Sequence, residues 1–226
     1  MARITLPSGT PAELVHPNHD ALVFGLVIVP DIGGLRPLFD DLVARLSAEQ
    51  GWSVVAVEPF PGRSFPEGEM DARFKAMPEV DDDRLLGDLT DAAQLLGPPR
   101  VGCIGFCMGG MYALKAAGTG AFDRIASFYG MIRVPEAWQG PGQGQPLDHL
   151  RRAPAITKIM AVLGGRDTYT PPDDIAALRH AEVDAEVEIA LYPEAEHGFV
   201  HDPNRPAHRP DDAADAWDRV LAFLAS

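Results

Sequence analysis

A cysteine lies between glycines in the segment GFCMGG, residues 105–110, immediately after the apolar run VGCI. The pattern Gly-x-Cys-x-Gly matches a nucleophile elbow, a sharp strand-to-helix turn whose neighbours must be small so that strand and helix can approach. The amides at the start of the following helix point at the thiol and favour the thiolate. A buried structural cysteine is the alternative. This alternative suits Cys103 better than Cys107, because a buried structural cysteine does not require the glycines that flank Cys107.

Two further reactive side chains follow predicted strands. Asp167 lies in LGGRDTYTPPDD after the strand KIMAV, and His197 lies in YPEAEHGFV after the last predicted strand. An Asp beside Thr and Pro often forms a cap or an Asx turn, but Asp173 and Asp174 are better placed to cap the next helix. The order nucleophile, acid, base is that of the α/β-hydrolases, so we predict a Cys-His-Asp triad. The other histidines are interpreted as surface residues: His16, His19, His149, His180, His201 and His208.

Alternating strands and helices must position these three side chains. Apolar runs predict strands at residues 21–30, 52–57, 100–104, 124–130, 158–165 and 187–193. Amphipathic stretches predict helices over residues 38–51, 81–97, 108–117 and 212–226. The segments RITL and AELVHP predict an N-terminal antiparallel hairpin at the sheet edge. We therefore expect one α/β-hydrolase domain over residues 1–226, with a mainly parallel sheet and helices on both of its faces.

The predicted sheet also suggests where a ligand binds. Ligands of open α/β sheets bind at the carboxyl ends of the strands, and Cys107, Asp167 and His197 all follow strands. One long segment, residues 134–154, is rich in Gly, Pro and Gln and separates two strands. It is either a solvated surface loop or a lid or specificity loop, and the residues leave both possibilities open.

The composition excludes several classes of protein. The 226 residues carry a formal net charge of -14 at pH 7, which argues against nucleic acid or an anionic membrane as a partner. The N-terminus has no signal-peptide pattern, and no apolar run is long enough to span a membrane. The two cysteines are four residues apart and match neither a disulfide framework nor a zinc site. We expect a cytoplasmic monomer or homodimer that binds a small molecule.

The segments GFCMGG, GGRDTYTP and EAEHGF, with the C-terminal stretch RPAHRPDDAADAWDRVLAFL, resemble the dienelactone hydrolase family. These are carboxymethylenebutenolidase-like α/β-hydrolases that use Cys instead of Ser. The likeness runs from VIVPDIGGLRP to the C-terminal helix. It implies that Cys107 is the nucleophile, His197 the base and Asp167 the acid that orients the histidine. It also implies that the backbone N–H groups of Ile32 and Met108 form the oxyanion hole, a role that the backbone can fill.

Three positions bear on how this chain compares with the well-known members. Those members have Glu before the oxyanion-hole residue, where it holds the resting thiol, and this chain has the shorter Asp31. They bind the substrate carboxylate with two arginines. Arg63, in EPFPGRSF, matches one of them, with a solvated loop arginine as the alternative. The other is replaced by His201, and an imidazole binds a carboxylate less firmly than a guanidinium does.

A cysteine nucleophile limits the substrates that the predicted enzyme can hydrolyse. A thiolate is a good leaving group, so the tetrahedral adduct reverts unless the alcohol also leaves easily. Enol lactones and activated esters meet this condition, and amides do not. We predict a hydrolase that opens a dienelactone-like ester through a thioester, with no metal and no organic cofactor. Three alternatives stay open: an esterase or thioesterase acting on an unrelated acyl group, a non-catalytic ligand-binding homologue, and a redox-sensing thiol protein in which Cys103 is the resolving partner.

Overall fold

A single eight-stranded sheet organises the part of the chain that the computed structural model describes, residues 1–17, 24–66, 69–97 and 99–226. The strands are β1 (Ala2–Thr5), β2 (Pro11–Val15), β3 (Gly25–Val29), β4 (Ser53–Val57), β5 (Val101–Phe106), β6 (Arg124–Phe128), β7 (Lys158–Gly164) and β8 (Glu186–Tyr192). Their order across the sheet is β1-β2-β4-β3-β5-β6-β7-β8. The pairs β1/β2 and β2/β4 are antiparallel, and all the others are parallel. The predicted mainly parallel sheet with an N-terminal antiparallel hairpin is confirmed.

Seven α-helices accompany the sheet within these ranges. They are α1 (Pro37–Gln50), α2 (Met70–Ala76), α3 (Asp82–Leu96), α4 (Met108–Ala116), α5 (Pro146–Leu150), α6 (Pro172–Arg179) and α7 (Pro210–Ala225). The helices α1, α3, α4 and α7 pack against the strands. None of the helices in the described ranges is long and apolar enough to cross a membrane.

Local sequence signals explain where the longer helices begin and end. Asp81 caps α3, because its side chain accepts a hydrogen bond from the Arg84 amide at 2.8 Å. Gly51 ends α1 in the left-handed conformation that glycine adopts without strain. The capping role predicted for Asp173 and Asp174 is wrong. Both lie inside the first turn of α6, where no side chain caps the helix.

The strands arise from the apolar runs, and the parallel ones end together. Strands β3, β4 and β5 are buried along their whole length, as expected for β-branched runs covered on both faces. The predicted strand at 21–30 is observed at Gly25–Val29, and residues 21–23 lie outside the described residues, as does His19. Val29 pairs with Gly105, and Phe106 pairs with Phe128. The loops after these strands therefore start side by side at the carboxyl edge of the sheet.

The segment 134–154 is anchored to the body of the protein. It contains a short 3-10 helix, Glu136–Trp138, and α5, and Trp138 is buried. The Asp82 amide donates to the Gly142 carbonyl at 2.9 Å, and an Asp82 carboxylate oxygen accepts from the Gly144 amide at 2.8 Å. Lys115, fully buried, binds the same carboxylate at 2.8 Å. The segment is therefore attached to the protein through these contacts, while other positions in it, such as Glu136 and Asp148, are exposed.

Candidate active site

Cys107 occupies a sharp turn between β5 and α4. Its backbone has φ 57° and ψ −120°, a conformation that a residue with a side chain rarely adopts. Such strain costs about 1–3 kcal/mol and is characteristic of functional sites. A methyl group at Gly105 would overlap the Gly109 carbonyl, and one at Gly109 would overlap the Val29 carbonyl. The flanking glycines are thus required by the close approach of α4 to β3 and β5, which is the geometry of the predicted elbow.

Asp167 and His197 form a buried pair after β7 and β8. The Asp167 carboxylate lies 2.8 Å from His197 Nδ1 through Oδ2. Its other oxygen accepts a hydrogen bond from the Tyr169 amide at 2.8 Å. The Asp167 side chain is fully buried, and that of His197 is 13% exposed. Both oxygens of the carboxylate are therefore engaged, and one side of the imidazole ring is held in place.

The environment of His197 favours its protonated form. Burial lowers the pKa of His197, but the neighbouring Cys107 and the hydrogen bond with Asp167 raise it more strongly, to about 9. The Nε2 atom is buried and has no hydrogen-bond partner in the described part of the chain. An imidazole anchored through Nδ1 and free at Nε2 can exchange a proton with a nearby thiol.

The two amides predicted for the oxyanion hole lie in neighbouring turns. Ile32 follows β3, and Met108 is the first residue of α4. Neither backbone N–H donates to an acceptor in the described ranges. The turn that carries Ile32 is closed by two hydrogen bonds, from the Gly33 amide to an Asp31 carboxylate oxygen at 2.8 Å and from the Gly34 amide to the Asp31 carbonyl at 2.9 Å. Both amides are therefore available to an oxyanion.

Asp31 and His201 bind each other instead of facing solvent. Asp31 Oδ2 lies 2.8 Å from His201 Nε2, and Arg36 binds the two oxygens of the same carboxylate at 2.6 and 2.8 Å. Burial raises the pKa of Asp31, but His201 and Arg36 together hold it well below its usual value. The His201 side chain is 1% exposed, so its interpretation as a surface residue is wrong. The Asp31 carboxylate is thus occupied by these partners.

The structure does not bring Arg63 to this site. The guanidinium of Arg63 is exposed and binds Glu79 at 2.6 Å, beside a separate cavity. A cavity of about 800 Å³ instead lies next to Asp31, and Arg73 and Arg205 line it. Both were missed from the sequence. Arg73 belongs to the unpredicted α2, and Arg205 comes from the loop before α7.

The two arginines lie against the backbone of the predicted catalytic loops. Arg73 donates to the Ile32 carbonyl at 3.2 Å and lies 4.5 Å from the centre of the Phe65 ring. Arg205 lies beside Gly198, the residue after His197, where a Cβ atom would be 2.7 Å from its guanidinium carbon. Within the described residues neither forms an ion pair with a carboxylate. The two guanidiniums share this cavity with the carboxylates of Asp40, Glu69 and Asp202.

A row of aromatic rings leads away from His197. Tyr169 lies 4.8 Å from the His197 ring, and Trp138 lies 6.2 Å from Tyr169 between ring centres. Phe74, on α2, stacks on Trp138 at 5.8 Å. The segment 134–154 therefore contributes a side chain to the surroundings of the site, which its composition did not indicate.

Cys103 lies apart from this chemistry. It is fully buried within β5, and burial raises the pKa of its thiol far above the usual value. A thiol in that environment is a poor nucleophile. Its position therefore argues against Cys103 as the resolving partner of a redox sensor.

Comparisons with known proteins point to one family. A family model described as the dienelactone hydrolase family matches residues 11–226. The carboxymethylenebutenolidase of Rhodococcus opacus is 30% identical over 227 residues, covering 96% of this chain and 87% of that protein. A Bradyrhizobium protein named "Probable 2-oxo-3-(5-oxofuran-2-ylidene)propanoate lactonase" is 26% identical over 223 residues, covering 94% of this chain and 88% of that protein. The crystal structure of a "Putative Dienelactone Hydrolase from Klebsiella pneumoniae" superposes with a TM-score of 0.86 at 26% identity, covering 100% of this chain and 98% of that one.

Proposed function

This chain belongs to the dienelactone hydrolase family and is a hydrolase, and from that premise we propose that it opens an enol lactone or an activated ester through Cys107, His197 and Asp167. The observation that carries the proposal is the strained turn that presents Cys107 at the start of α4. The buried hydrogen bond between His197 and Asp167 supports it. A hydrolytic site at this edge of the sheet is also where α/β folds bind their ligands.

The proposed reaction begins at the Cys107 thiol. His197 Nε2 holds the proton of the Cys107 thiol in a resting ion pair, and the thiolate attacks the carbonyl carbon of the ester. The Ile32 and Met108 amides donate to the oxyanion that forms, and one such donor is typically worth about 3 kcal/mol of barrier. The adduct then expels the enolate or alkoxide, which takes the proton from His197. A thioester on Cys107 remains.

Water completes the proposed cycle. His197 accepts a proton from water as the oxygen attacks the thioester carbonyl, the C–S bond breaks, and Cys107 leaves as the thiolate beside the protonated imidazole. Asp167 holds Nδ1–H throughout, so that Nε2 stays the atom that carries the proton. The carboxylic acid leaves with the oxygen of water.

We assign the binding of a substrate carboxylate to Arg73 and Arg205. Both guanidiniums line the cavity beside Asp31, and a planar guanidinium binds a carboxylate through paired hydrogen bonds. The name of the Bradyrhizobium relative specifies a propanoate lactone, a substrate class that carries such a group. The site would thus hold an anionic lactone with its carboxylate toward the arginines.

The test is the loss of dienelactone absorbance with purified protein, run beside Cys107→Ala. Turnover by the wild type and its loss in Cys107→Ala supports the proposal. The matched control is Cys103→Ala, which removes the buried thiol inside β5 and is expected to keep turnover. Equal turnover by wild type and Cys107→Ala would refute the nucleophile assignment.

A second candidate is an esterase or thioesterase of the same fold that acts on an unrelated acyl group. The observation that favours it is His201, whose ring binds Asp31 and Tyr129 and is not available to a substrate carboxylate. Turnover of uncharged p-nitrophenyl esters or acyl thioesters, without turnover of dienelactone, would select this candidate. Loss of that activity in Cys107→Ala is expected in either case.

A further inference from the structure

A continuous chain of polar side chains runs behind the proposed site. The Tyr129 hydroxyl is hydrogen-bonded to His201 Nδ1, and His201 Nε2 lies 2.8 Å from Asp31 Oδ2. Arg36 then binds Asp31 through two hydrogen bonds, at 2.6 and 2.8 Å. Tyr129 is completely buried, and the His201 side chain is 1% exposed. These hydrogen bonds join three remote segments of the polypeptide through the protein interior.

In this series of side chains, each hydrogen bond is donated in the same direction, from Tyr129 to His201 and from His201 to Asp31. Burial raises the pKa of Tyr129 well above its usual value, so the phenol keeps its proton and donates it to His201 Nδ1. Burial lowers the pKa of His201 more than Asp31 raises it, so the imidazole is neutral and donates through Nε2–H to the carboxylate. Arg36 donates to Asp31 from the other side. Each acceptor thus has a donor, which keeps a buried polar network stable.

At one end of this series of hydrogen-bonded side chains, Asp31 and Arg36 hold the turn that carries the Ile32 amide. The same Asp31 carboxylate accepts the Gly33 amide at 2.8 Å, and Arg36 also donates to the Gly34 carbonyl at 3.2 Å. The position of the Asp31 carboxylate therefore fixes the backbone on both sides of Ile32. His201 supplies the hydrogen bond that holds this carboxylate from the protein interior.

At the other end of the hydrogen-bonded series, Tyr129 lies against His197. The Tyr129 ring meets the His197 ring edge-on, at 5.3 Å between centres and an angle of 69°. Tyr129 has φ 41°, a strained value for a residue with a side chain, and its amide donates to the Val162 carbonyl at 2.7 Å. Its hydroxyl bond to His201 holds the ring in this orientation. The Tyr129 ring is therefore part of the wall that fixes the imidazole.

We propose that Tyr129 and His201 are positioning residues that link the Ile32 turn to the His197 ring, so that an oxyanion donor and the base keep a fixed relative position. Neither residue touches the reacting atoms in this proposal, which rests on the proposed function of Cys107 and His197. The physical reason is that misplacing catalytic groups by about 1 Å costs about 100-fold in rate. His201, which stands where the resemblance expects an arginine, thus serves the interior of the site and not the substrate carboxylate.

The test compares four variants on p-nitrophenyl acetate: Tyr129→Phe, His201→Phe, the double variant, and His201→Gln. Tyr129→Phe removes only the hydroxyl. His201→Gln keeps an acceptor for Tyr129 and a donor for Asp31 at a similar spacing. We expect Tyr129→Phe and His201→Phe each to lower kcat at least about 10-fold with KM changed less than about twofold, because positioning acts on the transition state. The double variant should be no slower than the slower single one, and His201→Gln should recover most of kcat.

A second readout separates this proposal from the proposed function. The pH dependence of Cys107 alkylation by iodoacetamide, followed by peptide mass spectrometry, needs no ester turnover. If the wild type hydrolyses neither this ester nor dienelactone, the proposed function has failed, and the alkylation profile alone decides. We expect its midpoint to move to higher pH in both Phe variants and to return in His201→Gln. Unchanged kcat, multiplicative losses in the double variant, or an alkylation profile identical to that of the wild type would overturn the proposal.

Discussion

Replacing Asp167 with asparagine is the most direct test of how the base is held. Asp167 Oδ1 accepts from the Tyr169 amide and Oδ2 faces His197 Nδ1, each at 2.8 Å. Asparagine has the same shape but only one oxygen. In either orientation of the amide, its NH₂ group faces another donor, either the Tyr169 N–H or the His197 Nδ1–H. Where the NH₂ group faces His197, the imidazole shifts to the tautomer with its proton on Nε2, which cannot accept a proton from the thiol. Where it faces Tyr169, the Tyr169 N–H loses its acceptor.

The expected loss of kcat/KM in Asp167→Asn follows from the burial of the Asp167 side chain. A buried donor without an acceptor costs about 1–3 kcal/mol. The attraction between a carboxylate and an imidazolium is about 4 kcal/mol at an effective dielectric constant of 20, which is an upper limit here. A combined loss of about 3–4 kcal/mol lowers kcat/KM by about 100-fold to 1,000-fold. The pKa of His197, about 9 in the native protein, should also fall, because one of the influences that raise it is removed.

The assay is kcat/KM at neutral pH on whichever ester the wild type hydrolyses, with the pH profile measured for both proteins. Asp173→Asn is the matched control, because it makes the same change at an exposed residue in the first turn of α6. We expect the control to stay within about twofold of the wild type, as surface substitutions usually do. A correctly folded Asp167→Asn protein with kcat/KM within tenfold of the wild type would refute the assigned role of Asp167.

Three further predictions test the elbow, the cavity and the buried carboxylate. Gly109→Ala should destabilise the fold by at least about 2 kcal/mol in denaturant unfolding, because the new methyl group overlaps the Val29 carbonyl; wild-type stability would contradict this. Arg205→Ala should raise KM about 10-fold for a lactone that carries a carboxylate and leave the KM for an uncharged ester unchanged. The control Arg63→Ala, at an exposed residue, should change the KM of neither substrate. Equal effects of the two variants would contradict the carboxylate assignment. The pKa of Asp31 is lower in the folded than in the unfolded protein. The ionised Asp31 carboxylate therefore stabilises the fold above pH 3.8, the ordinary pKa of the group, and this contribution is lost as the pH falls below that value. The free energy of unfolding should therefore fall more steeply with acid for the wild type than for Asp31→Asn.

The elements that contain the predicted triad are set by short-range signals, which explains why they were found from the sequence. Continuous apolar runs specify strands such as Val101–Phe106 and Lys158–Gly164, since only a strand covered on both faces buries every residue. The glycines around Cys107 specify the elbow, because no larger residue fits between α4 and β3. The helix α2, with seven residues and one of them buried, lacks such a signal. Its Phe74 stacks on Trp138, a contact with a distant segment that the local sequence does not reveal.

The sequence predicted that Cys107, Asp167 and His197 lie at one edge of the sheet. This was possible because each follows a strand and parallel strands end together. The partners of His201 could not be predicted in this way. Asp31 is 170 residues away from it, and a histidine near a chain loop is exposed or buried according to what other segments cover it. Arg73, on α2, and Arg205, in the loop before α7, likewise meet at one cavity from distant parts of the sequence. Backbone conformation responds to neighbours in sequence, whereas charge pairing and burial respond to neighbours in space, and those are created only when the segments pack together.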